Sequence, residues 1–345
     1  MNILFCDFIF QKGNAHVDGE IIKCMMNNHN VTILANKDRY PEYYLEANYV
    51  ENKHYIREKG TIRIYFGILR NMILAARYAN KNKPDVIFIS VYETRSFALG
   101  RKFFKDRDKI IVLENANIDQ LSNNSFRTFY DFYKNKIHHV VYEGYMKDYL
   151  TNTIGIQEEL ISVIPHPCYK SQICTNPITK YDCIAISGSN DEQIIEEFIL
   201  FEKNNGILKS NGIKVLIKSK KFQYDDGFLI VKNEYFTNEE YERLYEGCKV
   251  VYAPFPSSYK YRMSGCFVDS FSHRKPVVSS PILLAEYYKK KYPEIMYTES
   301  KIDDVIHRII TLIHNQIDDK NFDSFLKNHS TDSLDNALCE MINRF

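Results

Sequence analysis

Four residues that could bind a phosphate or a sugar lie close together in the segment Tyr259–Val278, YKYRMSGCFVDSFSHRKPVV. Arg262 can give paired hydrogen bonds to a diphosphate. Ser264 and Gly265 fall where a helix is expected to begin, and the free N–H groups and the positive end of the helix dipole favour a phosphate there. Asp269 follows one turn later, where its carboxylate could accept hydrogen bonds from ribose hydroxyls. The spacing therefore predicts a clamp for a sugar nucleotide.

The elements around this segment are predicted from apolar runs that alternate with helical segments in both halves of the chain. The runs NILFC (2–6), DVIFIS (85–90), YDCIAIS (181–187) and KVVYAP (249–254) are typical of strands that are covered on both faces of a parallel sheet. Such repeated βα units predict an α/β protein with two Rossmann-like domains facing each other across a cleft. Because ligands bind at the carboxyl ends of the strands in these sheets, the cleft is the expected site.

Composition excludes several classes of function. The 345 residues carry a formal charge of +1, which argues against a polyanion-binding protein, and no GxGxxG or Walker P-loop motif supports a dinucleotide enzyme or an NTPase. The eight cysteines lack CxxC pairs and zinc-ligand spacings, so we interpret them as reduced thiols of a cytoplasmic protein. The N-terminus lacks the features of a signal peptide, and no run of about 18 apolar residues predicts a membrane span.

The stretch SGCFVDSFSHRKPVVSS resembles the donor site of GT-B glycosyltransferases, particularly the bacterial family 4-like enzymes of capsule and O-antigen synthesis. The stretches ISVIPHP, IAISGS, VLIKSKK and YFTNEEYERLYEGCKVVYAPFPSS resemble further landmarks of that family in the same order. The resemblance covers roughly residues 138–280 well, and the first half only through its βα pattern. It implies a domain 1–168 that binds the acceptor, a domain 169–330 that binds the nucleotide sugar, and a helix at 331–345 that returns to the first domain.

The resemblance also implies roles for single residues of the donor site. Asp269 falls at the second Glu of the family's E-x7-E motif and would hold the ribose, whereas Tyr261 stands at the first Glu, which usually faces the donor sugar. A glycine and a serine would lie against the donor, two lysines near its phosphates and two aromatic residues beside its nucleobase. These residues are Gly188, Ser189, Lys218, Lys220, Tyr235 and Phe236.

The acceptor and the catalytic groups are expected in the first domain. The stretch FIFQKGNAHVDGE occupies the place of the family's Gly-rich acceptor loop, so Gly13, Asn14 and His16 are candidate acceptor contacts. His16 is also a candidate base, because histidine is the residue type in this loop that titrates near neutral pH. Two acids that follow predicted strands, Glu93 and Glu114, are further candidates for a catalytic acid or base.

The segment from Lys53 to Lys83 is rich in basic residues that alternate with Ile, Tyr and Phe. A basic amphipathic helix of this kind is typical of binding to the surface of a membrane. A core helix with a solvated basic face explains the same pattern. Nucleic acid would use the same charges, but no recognised nucleic-acid-binding module accompanies them, so no nucleic-acid partner is predicted.

The residues and the resemblance together predict a cytoplasmic glycosyltransferase that moves a sugar from a nucleotide diphosphate to a glycan or lipid-linked saccharide in surface polysaccharide synthesis, peripheral to the cytoplasmic membrane if the basic segment binds lipid. No cofactor and no metal are expected, because Arg, Lys and a helix N-terminus can neutralise the leaving diphosphate. Two alternatives stay open. One is a nucleotide-sugar epimerase of the same fold. The other, favoured by Tyr261, is a non-catalytic nucleotide-sugar-binding subunit of a transferase.

Overall fold

Two compact units make up the described part of the chain. The computed structural model describes residues 1–8, 15–36, 38–43, 47–52, 61–168 and 176–345, except for the side chains of residues 61–63. Unit 1 comprises Met1–Pro167 together with His329–Phe345, and unit 2 comprises Cys168–Asn328. Unit 1 is therefore built from two separate stretches of chain, and unit 2 from one.

Unit 1 alternates strands with helices. Its strands are β1 (Asn2–Asp7), β2 (Asn30–Ala35), β3 (Asn48–Glu51), β4 (Val86–Val91), β5 (Ile110–Leu113), β6 (His138–Val141) and β7 (Ile161–Val163). Its helices are α1 (Ala15–Asn28), α2 (Thr61–Asn82), α3 (Thr94–Gly100), α4 (Ala116–Asp119), α5 (Asn124–Asp131), α6 (Gly144–Tyr149) and, from the end of the chain, α14 (Thr331–Ile342).

The strands of unit 1 pair side by side in one parallel sheet. Within the described residues it has seven strands in the order β3-β2-β1-β4-β5-β6-β7. Every residue of β4 and β5 is buried, as expected for strands covered on both faces by helices. The strand order reverses between β1 and β4, and the carboxyl ends of these two strands form the switch point at which such sheets bind ligands.

Two long helices of unit 1 each bury one apolar stripe. In α2 the stripe contains Ile68, Met72 and Ala79, and the helix packs on α3. Because this stripe is part of the core, the outer face of α2 is left with exposed Phe66 and basic residues. Helix α14 packs on α1 and buries Leu334, Leu338, Met341 and Ile342. No described helix is both long and apolar enough to cross a membrane.

Unit 2 repeats the alternation. Its strands are β8 (Cys183–Ala185), β9 (Val215–Lys218), β10 (Tyr224–Asp225), β11 (Leu229–Lys232), β12 (Val250–Ala253), β13 (Val277–Ser279) and β14 (Met296–Thr298). Its helices are α7 (Glu192–Asn205), α8 (Ile207–Ser210), α9 (Asn238–Gly247), α10 (Gly265–Ser272), α11 (Leu283–Lys291), α12 (Ile302–His314) and α13 (Lys320–Asn328).

The sheet of unit 2 is parallel except at one edge. Across the described residues its order is β10-β11-β9-β8-β12-β13-β14, and only β10 runs antiparallel to its neighbour, to which a turn at Gly227 joins it. The left-handed backbone of Gly227 (φ 88°) suits glycine. The order reverses between β8 and β12, so unit 2 has its own switch point, flanked by the loops that carry the predicted donor-site residues.

Candidate active site

The loops after β8 and β12 lie side by side at the switch point of unit 2. The N–H of Asp191, which ends the loop after β8, donates to the Pro254 carbonyl after β12 at 2.7 Å. Asn190 ties the same loop to two strand ends, because its side-chain amide donates to the carbonyls of Ala185 (2.8 Å) and Lys218 (3.0 Å). The carboxyl ends of β9, β8 and β12 are thereby held together, and they bring the predicted donor residues into one region of unit 2.

Two small residues of the loop after β8 leave room for a ligand. Gly188 is exposed, and a Cβ built on it would meet no atom within 4 Å. The N–H of Ser189 donates to the Ser187 hydroxyl at 3.2 Å, which fixes the turn. Since nothing in the fold requires a glycine at position 188, its lack of a side chain matters only for what approaches from outside.

The predicted helix start after β12 is confirmed. Buried Ser264 is the N-cap of α10, and its side chain accepts a hydrogen bond from the Phe267 N–H. Within the described residues no hydrogen bond takes up the N–H groups of Gly265 and Cys266, and Gly265 faces open space. These two N–H groups at the positive end of the helix can therefore serve an anion.

Arg262 is held beside this helix start by an aromatic stack. Its guanidinium lies over the Tyr259 ring at 4.0 Å, and that ring stacks on Phe255 at 4.7 Å between centroids. The Tyr259 hydroxyl donates to the Met263 carbonyl at 2.7 Å, which fixes the ring. A positive charge is thus positioned within three residues of the helix N-terminus.

Asp269 presents a carboxylate with unused hydrogen-bonding capacity. It is half-buried in α10, and no hydrogen bond to its side-chain oxygens arises within the described part of the chain. Burial, and secondarily the charge of Glu242, raises its pKa to about 7. A ligand hydroxyl that donates to this carboxylate would favour its ionised form.

The loops after β9 and β11 bring two lysines and two aromatic residues to the same edge of the sheet. The ammonium of Lys218 lies 4.5 Å from the centre of the Tyr235 ring, and burial together with Lys220 lowers its pKa. Tyr235 is 86% exposed, so it is not a core residue, and Phe236 is half-buried. Lys220 is exposed. An anion here would relieve the repulsion between the two ammonium groups.

Glu192 is a positioning residue that sequence reasoning missed. From the first turn of α7 its carboxylate accepts hydrogen bonds from the Ser219 hydroxyl (2.5 Å) and from the N–H groups of Lys220 (2.8 Å) and Lys221 (3.2 Å). It therefore fixes the loop that carries the two lysines. In the sequence Glu192 looks like an ordinary acid in the first turn of a helix, and no local pattern indicates this long-range contact.

The three candidate catalytic residues of unit 1 differ in the partners that surround them. Glu114 is completely buried, and its oxygens accept hydrogen bonds from Tyr92 (2.8 Å), Tyr130 (2.7 Å) and Asn117, while His139 lies 2.7 Å away. With its acceptor sites taken up, Glu114 holds the core together, and this geometry does not favour an acid–base role.

Glu93 also has a local partner for each oxygen. One oxygen caps α3 by accepting from the Ser96 N–H at 2.7 Å, and the other pairs with Arg95 at 3.0 Å. Glu93 is thus a capping residue that orients a guanidinium. The candidate acceptor residues Gly13 and Asn14 lie outside the described residues.

His16 is exposed in the first turn of α1, and a buried charge cluster fixes this helix to the end of β1. Arg39 donates to Asp7 (2.8 Å) and Asp18 (3.2 Å), and the Tyr40 hydroxyl donates to Asp18 at 2.9 Å. Burial and the neighbouring Asp7 raise the pKa of Asp18 to about 7. The helix that carries His16 therefore begins beside the switch point of unit 1.

Comparisons with known proteins identify the fold. No protein-family model matches the chain, and no curated protein sequence matches it. Among solved structures, it is similar to a glycosyltransferase from Rickettsia africae ESF-5 with a TM-score of 0.66, 13% identity and coverage of 99% of this chain and 98% of that one. It is similar to Anabaena HepE in complex with UDP-glucose with a TM-score of 0.66, 11% identity and full coverage of both chains.

A third similar structure is the UDP-N-acetylglucosamine 2-epimerase from Rickettsia bellii, with a TM-score of 0.60, 9% identity and coverage of 100% of this chain and 96% of that one. The predicted fold class is confirmed in its architecture, because each of the two α/β units contains a mainly parallel seven-stranded sheet, as in the GT-B glycosyltransferases. At such low identities, the similarity establishes the fold.

Proposed function

We propose that the protein is a glycosyltransferase that binds a nucleotide-diphosphate sugar at the switch point of unit 2 and transfers the sugar to a saccharide acceptor. The observation that carries the proposal is the convergence, at a single sheet edge, of positive groups with one carboxylate that has no partner among the described residues. Arg262, two lysines and the start of α10 supply the positive side, and Asp269 supplies the carboxylate. This combination suits a diphosphate attached to a ribose.

Each group has a separate task in this proposal. Arg262, Lys218 and the N–H groups that follow Ser264 stabilise the charge that develops on the departing diphosphate. Asp269 accepts hydrogen bonds from the ribose hydroxyls. Exposed Tyr235 offers its ring face to the nucleobase. Fixed positive groups make a bound metal unnecessary, so turnover should persist in EDTA.

The acceptor side rests on unit 1, with His16 as the candidate base. We infer a hexosyl donor, and a glycan or lipid-linked saccharide acceptor of the kind used in capsule or O-antigen synthesis by family 4-like enzymes. The exposed Phe66, Arg70 and Arg77 on the outer face of α2 support contact with an anionic membrane surface, and the protein would then work at the inner face of the cytoplasmic membrane.

Two specific observations favour alternative functions, and each alternative can be tested. The similarity to the epimerase from Rickettsia bellii supports inversion of a nucleotide sugar, and Tyr261 in place of an acid supports binding without turnover. Product analysis with UDP-glucose and UDP-N-acetylglucosamine separates the three. Transfer yields UDP and a glycoside, epimerisation yields a new nucleotide sugar, and a binding subunit yields neither.

The test of the donor site is Arg262→Ala, with UDP binding measured by isothermal titration calorimetry. Loss of hydrogen bonds to a charged group should weaken binding by about 1.5–3 kcal/mol. The matched control is Arg308→Ala in α12, where Arg308 pairs with Glu299 at 3.0 Å away from the loops of the switch point. Equal affinity of Arg262→Ala and the unmodified protein would remove Arg262 from the donor site.

A further inference from the structure

Unit 1 carries a guanidinium at its own switch point that none of the roles above uses. The strand order of unit 1 reverses between β1 and β4, and Arg95 follows β4 by only four residues. The chain leaving β1 is joined to this end of β4, because the Phe8 N–H donates to the Val91 carbonyl at 3.3 Å. Arg95 thus lies at the position in the sheet where a ligand of unit 1 is expected.

Three residues hold the Arg95 side chain in a fixed orientation. Its guanidinium lies over two aromatic rings, 4.6 Å from the centre of the Tyr65 ring on α2 and 4.4 Å from the centre of the Phe126 ring on α5. Its Nε–H donates to Glu93 at 3.0 Å, and one N–H of Nη2 donates to the Tyr65 hydroxyl. Since Glu93 is itself fixed by the Ser96 N–H, little conformational freedom remains to be lost when a ligand binds.

The same contacts leave much of the guanidinium unused. Arginine has five N–H donors, of which Glu93 and Tyr65 take two. The other three, all on the terminal nitrogens, have no partner within the described residues, and the Arg95 side chain is 31% exposed. Glu93 occupies the Nε side, so a ligand would meet the two terminal nitrogens, which present the planar fork that suits carboxylates and phosphates.

We propose that Arg95 binds an anionic group of the acceptor saccharide, either a carboxylate or a phosphate. The assignment to the acceptor depends on the proposed function, in which unit 2 binds the donor. The rings of Tyr65 and Phe126 hold the guanidinium in place, and Glu93 is the positioning residue that turns its terminal nitrogens outwards. The acceptor is thus an acidic saccharide, such as a uronic-acid-containing or phosphate-bearing glycan.

The test measures binding of four small probes to the full chain by ligand-observed NMR titration. Methyl β-D-glucuronide supplies a carboxylate, glucose 6-phosphate supplies a phosphate, and methyl β-D-glucoside and glucose are their uncharged counterparts. The unmodified protein should bind at least one charged probe about tenfold or more tightly than its counterpart. Preference for the carboxylate or for the phosphate identifies which anionic group the site takes.

The variant Arg95→Met keeps an apolar side chain over the two rings and removes the charge. It should weaken binding of the preferred charged probe by about 10- to 100-fold, the range for a hydrogen-bonded charged group, and leave the uncharged probes unchanged. Arg95→Lys, which keeps the charge without the fork, should recover part of the loss. Arg107→Met, at an exposed position just before β5, should have no effect.

Three outcomes would overturn the inference. The unmodified protein could fail to distinguish charged from uncharged probes, Arg95→Met could retain full affinity for the charged probe, or Arg95→Met and Arg95→Lys could weaken all four probes equally, as a purely structural residue would. Binding of nucleoside diphosphates, UDP among them, by unit 2 is measured separately and tests the proposed function. If none of them binds but the Arg95-dependent preference persists, the proposed function fails and the anionic-saccharide site stands.

Discussion

Glu114 and Asp269 both have low exposure, but their carboxylates differ in how many hydrogen bonds they can still accept from a ligand. Buried Glu114 has four hydrogen-bonding neighbours, whereas the carboxylate of half-buried Asp269 has none within the described residues. The sequence ranked both as site candidates, because strand ends and helix starts do not reveal the partners of a side chain. The number of free acceptor positions separates them.

If Asp269 binds the donor as proposed, donor binding should depend on pH. Its pKa of about 7 in the ligand-free protein means that the proton must leave before ribose hydroxyls can donate to a carboxylate. Affinity for UDP-glucose, whose phosphates do not titrate near neutrality, should therefore rise about tenfold between pH 6 and pH 8. Calorimetric titrations across this range provide the measurement, and Asp269→Asn, which cannot ionise, should show a flat profile.

The same pKa has a predictable effect on stability, which serves as a control. The unfolded chain releases this proton near pH 4, and the folded protein releases it near pH 7. The contribution of Asp269 to the free energy of unfolding is therefore largest below pH 4 and decreases as pH rises towards 7. A rise in affinity over a range where stability does not increase cannot come from better folding. An Asp269→Asn variant that keeps the pH dependence would contradict this assignment.

Substitution by alanine should affect the stability of unit 2 at one of two glycines and not at the other. A Cβ at Gly247 would lie 2.1 Å from the Ile178 carbonyl oxygen, so Gly247→Ala should cost about 1–3 kcal/mol of unit 2 stability or more. A Cβ at Gly188 meets nothing within 4 Å, so Gly188→Ala should leave the melting temperature unchanged. If the donor approaches this backbone, Gly188→Ala should still weaken UDP-glucose binding about five- to 100-fold. Unchanged affinity would exclude close approach at Gly188.

At the scale of elements, the sequence predicts those whose signals are local. The buried strands follow from apolar runs, and the start of α10 follows from Ser264 and Gly265. Thr237, the N-cap of α9, is a local signal of the same kind. Strands β3, β10 and β14 escaped prediction, since each is an edge strand of only two to four residues. The contact between the rings of His273 and Tyr245, whose centroids are 5.3 Å apart, also leaves no local signal in the sequence.

The start of α9 allows a direct test of such a local signal. The Thr237 hydroxyl accepts from the Glu240 N–H at 3.2 Å, and the Glu240 carboxylate accepts from the Thr237 N–H at 2.8 Å. Thr237→Ala should therefore lower the opening free energy of α9 by about 1 kcal/mol, measured by hydrogen exchange of its amides. The control is Thr311→Ala, at an exposed position inside α12, which should change the opening free energy of α12 far less. Equal effects of the two substitutions would remove the cap as the cause.

At the scale of the whole molecule, the proposed function divides the chemistry between the two units. The proposed donor site belongs to unit 2, and the candidate acceptor residues and Arg95 belong to unit 1. The resemblance implied a last helix that returns to the first domain, and α14 packs on α1 within unit 1. What the sequence could not supply is the set of side chains that α14 buries against α1, because contacts over some 300 residues leave no local pattern.

This division predicts that damage to one unit spares the other. Leu338 of α14 is buried in the core of unit 1, so Leu338→Ala should lower the stability of that unit by about 2–5 kcal/mol. Binding of UDP to unit 2 should remain within twofold of the unmodified protein, while turnover should fall. Urea unfolding, calorimetry and product formation measure the three effects. A parallel loss of UDP affinity would show that the donor site depends on unit 1.

The interruption of unit 1 by unit 2 imposes an order on biosynthesis. A ribosome makes all of unit 2 before it makes α14, so the α1 surface is still uncovered while the strands β8–β14 are being made. Cys24 on α1, whose thiol lies 3.9 Å from the Thr331 carbonyl in the finished protein, stays accessible to nascent-chain labelling until that moment. During this interval the growing chain exposes the apolar side of α1, to which chaperones can bind. This side becomes covered only when α14 has been made and packs on it.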